Sequence, residues 1–283
     1  MTATAERPAG AGWAGSLELG FAADASGATR LDRRAHRGPF LVQRPFFPEG
    51  REVCHVYLLH PPGGLVGGDE LRLDLRVGEQ ARALVTTPAA GKAYRTLGPV
   101  SRQTQALLVG EGAALEWLPQ ETILYDGASV ELTTTVDLAP SARFFGAETL
   151  CFGLPARGER FARGSCRQAF ELRRAGVPLL IERGRFDGGA PVHQARWGLA
   201  GSSVLTLIAA SPAPEARVLD RAREALAGGD QAGFSIVDDG GALVVRHLTS
   251  VAERARSFVQ AVWSALRPAL FDRAPVAPRI WFT

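Results

Sequence analysis

Between Ser16 and about Ile208 the apolar positions recur with the period of a β-strand. Leu71–Val77 reads L-R-L-D-L-R-V, a strict alternation that predicts a strand with one buried face. Ala81–Thr87, Ser129–Leu138 and Ser203–Ile208 are rich in Val, Leu and Thr and read as further strands. The pattern then changes. Pro214–Ala227 reads as a helix stopped by Gly228-Gly229. In Ser250–Leu266, Val251, Ala255, Phe258, Val259, Val262, Trp263 and Leu266 form one stripe at helical spacing, and Ser250 with Glu253 has the form of a capping box. Between these helices, Phe234–Val237 and Ala242–His247 predict a hairpin turning at Asp238–Gly241.

A loose repeat runs through the β region. Val77-Gly-Glu-Gln-Ala-Arg-Ala-Leu-Val-Thr-Thr-Pro compares with Val109-Gly-Glu-Gly-Ala-Ala-Leu-Glu-Trp-Leu-Pro, and Leu138-Ala-Pro-Ser-Ala-Arg-Phe-Phe-Gly-Ala-Glu is a weaker third copy. Each copy opens with a turn, places Ala four positions on, and continues into a strand. The starts are 32 and 29 residues apart (109 − 77; 138 − 109). That period predicts stacked strand units, a mainly β fold of β-solenoid-like or layered sheets with about two helices in the C-terminal third. The expected organisation is a frayed stretch over residues 1–15 and a single β-rich domain over 16–283.

Composition narrows the function. The chain has 283 residues, 46% hydrophobic and 22% charged, enough for one sizeable core. No secretory leader and no apolar run long enough to span a membrane is found, so the expected location is the cytoplasm. Three cysteines, Cys54, Cys151 and Cys166, make no disulfide framework. The net charge of +3 is spread among acids rather than clustered, which argues against nucleic acid as a partner.

The most distinctive segment is His60-Pro-Pro-Gly-Gly-Leu-Val-Gly-Gly-Asp-Glu-Leu71. Its glycines, Gly63, Gly64, Gly67 and Gly68, call for unusual backbone angles or close backbone approach. It is no phosphate loop, because no Gly-Lys-Ser/Thr follows. Asp69 and Glu70 enter a strand, so at most one of them points inward. If that one is Asp69, its candidate partners are Lys92, the only lysine, and Arg95. Cys54 and His60 would be roughly 20 Å apart on a strand, with His55 on the other face, so the three do not chelate one ion unless the chain bends. No CxxC, HxxxH or HExxH occurs. A tightly bound metal cofactor is therefore not expected. Dispersed carboxylates (Glu121, Asp126, Glu148 and Glu182) remain as weak, exchangeable ligands. A β-solenoid carbohydrate-active enzyme using paired carboxylates is the rival reading. Against it stands the low aromatic content, 8%.

Seven blocks in order over nearly the whole chain resemble the urease accessory protein D family, called H in some organisms. They are Thr29-Arg-Leu with His36-Arg-Gly-Pro-Phe-Leu-Val-Gln-Arg-Pro-Phe-Phe-Pro-Glu49, Leu59–Asp69, Thr86-Thr-Pro with Lys92-Ala-Tyr-Arg95, Leu118-Pro-Gln-Glu-Thr-Ile-Leu-Tyr-Asp126, Leu150-Cys-Phe-Gly-Leu-Pro-Ala156, Pro178-Leu-Leu-Ile-Glu-Arg183, and Leu266-Arg-Pro-Ala-Leu with Pro278-Arg-Ile-Trp281. Tyr125 stands where the family motif has Phe. The resemblance implies a non-enzymatic β-rich scaffold for urease metallocentre assembly. Its partners would be apo-urease, the helical accessory protein F and the GTPase accessory protein G. Nickel(II) would be cargo in transit through an internal passage. The positions matching the family's polar motifs are Asp69, Lys92, Glu148 and Glu182, with Glu121 a looser match. Asp69 and Glu148 would be transient ligands or pore electrostatics, and Lys92 would hold a carboxylate in place.

Overall fold

A computed structural model describes residues 12–224, 230–238 and 241–282. In chain order the strands are β1 (Ala14–Ala23), β2 (Thr29–Arg37), β3 (Leu41–Val42), β4 (Val53–Leu59), β5 (Glu70–Val77), β6 (Arg82–Thr86), β7 (Gly91–Ala93), β8 (Ser101–Val109), β9 (Ala114–Leu118), β10 (Thr122–Leu124), β11 (Ser129–Leu138), β12 (Arg143–Leu154), β13 (Glu159–Arg160), β14 (Ser165–Arg174), β15 (Val177–Asp187), β16 (Val204–Ser211), β17 (Gln231–Val237) and β18 (Ala242–Thr249). The helices are α1 (Ala216–Arg223) and α2 (Ala252–Phe271).

The strands form two stacked sheets. The first runs β15-β14-β11-β8-β5-β1-β2 and the second β17-β18-β16-β12-β9-β6-β4-β3, with β7, β10 and β13 attached beside β12. The chain crosses from the first sheet to the second and back in each coil, so β5, β8 and β11 pair in parallel in one sheet, as do β6, β9 and β12 in the other. This is the β-solenoid expected from the repeat. Val77, Val109 and Leu138 are direct cross-strand partners. After each of them, Ala81, Ala113 or Ala142 is buried and donates its N–H back to the residue that opens the turn. Ala is needed there because successive turns stack: Ala114 N–H bonds to Ala81 C=O and Arg143 N–H to Ala113 C=O.

One core cluster fills the space between the sheets, with Leu17, Leu73, Leu107, Leu115, Trp117 and Phe144 among its members. A second lies on the outer face of the second sheet. There Phe258, Val262, Trp263 and Leu266 of α2 cover Leu84, Leu118, Phe145, Ile208 and Val245. From Ala255 to Leu266 the helical stripe is thus a largely buried face, whereas Val251 before it is exposed. Among the described residues no helix is long and apolar enough to cross a membrane.

Several local expectations are corrected. β1 already begins at Ala14, because Trp13 and Gly12 pack against the glycine loop; residues 1–11 lie outside the described residues. The first helix covers Ala216–Arg223; its expected stop at Gly228-Gly229 lies outside the described residues, as do Asp239 and Gly240 of the hairpin turn. The capping box does not form. Val251, in extended conformation, precedes α2 and no side chain caps the helix, while the Val251 N–H bonds to the Thr249 hydroxyl. α2 also runs through Pro268 to Phe271. Burial of Leu270 and Phe271, and the bonds made by Arg267, outweigh the hydrogen bond that Pro268 forfeits.

Candidate functional site

Prolines create the site. In two successive coils the second-sheet strand ends just before a proline, β6 before Thr87-Pro88 and β9 before Pro119. Proline has no N–H for the ladder, so the chain bulges outward and rejoins only at β7 and β10. β12 does not bulge. Its Arg143–Gly146 pair with β9 and its Leu150–Phe152 with β10, leaving Ala147, Glu148 and Thr149 without a ladder partner on that side. The second sheet is therefore broken beside Glu148.

The break holds cavities that share walls. One of about 280 Å³ lies between the glycine loop and the bulges, bounded by His60, Gly64, Lys92, Gln103, Gln105 and Trp117. A second of about 50 Å³ touches Gln103, Gln105, Pro119, Gln120, Thr122 and Glu148. A third of about 30 Å³, on the helix side, shares Pro119, Gln120 and Thr149 with the second and adds Glu121 and Arg256.

Glu148 faces the interior, because its cross-strand partner Leu207 belongs to the inter-sheet core. It is half-buried, and part of its surface fronts the cavity. The Thr134 hydroxyl donates to Oε1 and the Gln168 amide to Oε2 at 2.9 Å; Gln105 in turn donates to Thr134 at 3.1 Å. All donors are neutral. Burial therefore dominates and pushes the Glu148 carboxyl above the usual carboxylate range, with the two hydrogen bonds opposing. A carboxylate so placed is a favourable stop for a cation, which would supply the missing positive charge.

The other expected residues take different positions. Asp69 is buried and Glu70 exposed, so the inward residue is Asp69. Its oxygens accept from the Trp13 and Val66 N–H groups, both at 2.8 Å, and not from Lys92 or Arg95. The expected Asp69–Lys92 or Asp69–Arg95 pair is thus replaced by backbone amides that lie nearer. Asp69 fastens the glycine loop. In that loop Gly68 has φ +85°, and a Cβ on Gly64 would stand 2.5 Å from the Lys92 carbonyl oxygen. Lys92 lines the large cavity, whereas Arg95 is exposed and packs over Gly127. Glu121 is buried and accepts from Arg256 at 2.9 Å. Glu182 pairs with Arg246; Phe170, the buried cross-strand partner of Glu182, puts it on the interior face, at the last strand of the first sheet. The structure thus brings Glu148 and Glu121 to one sheet break, and places Glu182 at the flank of the same interior. Asp126 is tied to Arg163 and its neighbouring N–H groups.

Sequence reasoning missed Gln105, Thr134, Gln168 and Arg256. The signal was present for the first three, since a polar residue replaces an apolar one at an inward strand position. Among the described residues no three His, Cys, Asp or Glu side chains gather as a metal cage. The cysteines are all buried, and burial above all pushes each thiol up to about 12, so none offers a thiolate. His55 and His247 are buried against Glu49 and Asp230, away from the cavities. His60 alone of these lines a cavity, and burial lowers its pKa against the opposing pull of Asp69, favouring the neutral ring.

The family model described as UreD urease accessory protein matches residues 14–282. Among curated relatives, the urease accessory protein UreD of Azoarcus sp. (strain BH72) is 44% identical over 274 residues, covering 96% of this chain and 95% of that protein. The protein of the same name from Dechloromonas aromatica (strain RCB) is 44% identical over 276 residues, with the same coverage. That of Pseudomonas paraeruginosa (strain DSM 24068 / PA7) is 45% identical over 271 residues, again covering 96% and 95%.

Proposed function

The chain belongs to the UreD urease accessory protein family, and on that footing we propose that it is a scaffold that hands nickel(II) to apo-urease through its own interior. As a urease accessory protein it serves urease maturation and metallocentre assembly rather than catalysing a reaction itself. The observation that carries the finer reading is the set of wall-sharing cavities around Glu148 at the break in the second sheet.

The chemistry suits transport and not storage. Along the cavities a divalent ion meets amide and hydroxyl oxygens, one neutral imidazole at the His60 end and single carboxylates in turn. Such oxygen ligands hold nickel weakly and exchange readily, whereas a thiolate cage would retain it. The protonated thiols keep that trap closed. Nickel leaves Glu148 by exchanging its contacts for those of the next carboxylate, and the polar chain from Gln105 to Gln168 keeps the carboxylate aimed at the cavity.

In this reading the chain also docks the helical accessory protein F, the GTPase accessory protein G and apo-urease in the cytoplasm. Glu148 and Glu121 lie on two sides of a sheet and not across one cleft, so this pair does not have the paired-carboxylate geometry of a carbohydrate enzyme. The test is co-expression of urease and its accessory proteins with and without this chain. The chain should co-purify with apo-urease and with the F-type protein, and its omission should leave urease nickel-free. Urease filled with nickel in its absence would reject the proposal.

A further inference from the structure

Glu121 is bonded to an arginine, an odd companion for a carboxylate that is to meet a divalent cation. Arg256 projects from α2 into the smallest of the three cavities, where its Nη2 donates to Glu121 Oε1 at 2.9 Å. Its Nε is buried and has no hydrogen-bond partner. An unsatisfied buried donor costs free energy, so the arrangement is not the lowest that a guanidinium beside a carboxylate could reach. A bidentate pair would have satisfied both nitrogens. The side chain is also about one-third exposed, 37%, while Glu121 is 8% exposed. Arg256 thus has room to swing outward, and Glu121 does not.

We infer that Arg256 is a gate: it occupies the Glu121 carboxylate at the helix-side end of the cavities, and a divalent cation reaches that carboxylate only by displacing it. This rests on the nickel-passage reading and adds its regulation. The guanidinium and a divalent ion compete for the same carboxylate. With Arg256 in place the helix-side cavity carries no net negative charge from the pair, so a cation at Glu148 has no onward site. With Arg256 displaced, Glu121 is a bare carboxylate one bulge away across Gln120 and Thr149. The carboxylate of Glu253, on the same helix as Arg256, and the Cys151 thiol complete the local groups; Cys151 feels the charge of both Glu121 and Glu253 and stays protonated. A partner that draws Arg256 onto its own surface would open the exit at the moment of docking.

The experiment is nickel chloride titrated calorimetrically into the purified full-length chain. Arg256→Gln removes the charge and should tighten nickel binding at least tenfold. Arg256→Lys, which keeps the charge, should bind as the parent does. Glu121→Gln/Arg256→Gln should lose the gain. Arg256→Met, which also removes the charge, should show the same gain, and this arm stands if Arg256→Gln fails to fold. An affinity for Arg256→Gln or Arg256→Met within twofold of the parent in a folded variant, or a gain that survives removal of Glu121, would overturn the gate. These readouts use no urease, so they fail independently of the passage itself, which is judged by urease nickel content.

Discussion

Glu148 and Glu121 lie on the two sides of the second sheet at one break in its ladder. Glu148 faces the inter-sheet interior, and Glu121 faces the helix layer and is held by Arg256. Between them stand Pro119, Gln120 and Thr149, which wall both adjoining cavities. A solenoid strand normally seals its sheet, and here the backbone leaves an opening where no proline can be bonded.

An interior acid with only neutral partners is a stability cost. Its folded pKa lies above the unfolded one, so the protein gains from Glu148 only while the carboxyl is protonated. As pH rises from the unfolded pKa through the folded one, that stability is lost. Glu148→Gln should therefore unfold at a higher temperature than the parent at neutral pH, with the gap shrinking toward pH 4. Thermal melts of both proteins from pH 4 to 8 check the sign; a gap that widens on acidification contradicts it.

The buried ion network under α2 behaves in the opposite sense. Arg267, fully buried, bonds Glu116 and Glu49, while Trp263 donates to Glu116 and His55 meets Glu49 at 2.7 Å. Removing the arginine strands two buried carboxylates, so Arg267→Ala should destabilise by about 3–5 kcal/mol in urea unfolding. Burial, the largest influence on Glu49, raises its pKa, but the bonds from His55 and Arg267 together outweigh it and hold the carboxyl below its usual value. Its stabilising contribution is present above the unfolded pKa and is lost as pH falls through the folded one. Acid unfolding of the parent should therefore be steeper than that of Glu49→Gln.

Asp69 is a fastener of the glycine loop. Replacing it with Ala removes the acceptor that the Trp13 and Val66 amides share, and should cost about 1–3 kcal/mol and raise amide exchange at the loop. Asp69→Ala with unaltered stability and exchange would show that the two hydrogen bonds contribute little.

All three thiols are buried and held protonated. In native protein at pH 8 they should resist iodoacetamide and react only after unfolding. Rapid labelling of Cys151 or Cys166 would show that the interior opens more than the fold indicates.

Much of this was legible along the chain. The spacing of Val77, Val109 and Leu138 foretold stacked coils because each coil reuses one turn, and Ala four positions on was the mark of the stacking. The same repeat sets Glu148 ten residues after Leu138, as Pro119 stands ten after Val109, so both sit at one level of the stacked coils. What the pattern did not carry was pairing across the fold. The sequence offers Lys92 and Arg95 as candidate partners of an inward Asp69, whereas its partners are amides of Trp13 and Val66. Arg256 lies 135 residues from Glu121, and no local spacing links them. α2 outlasts the expected end at Leu266 for a similar reason: the burial of Leu270 and Phe271 and the distant carboxylates of Glu49 and Glu116 that hold Arg267 are not written in the local pattern.

The central claim is that nickel passes Glu148 on its way to urease. The direct measurement is metal per active site in urease matured alongside Glu148→Leu, with co-purification of the accessory complex as control. The complex should assemble at parental yield while urease nickel falls at least tenfold. Full nickel occupancy with the leucine in place would show that the ion takes another route.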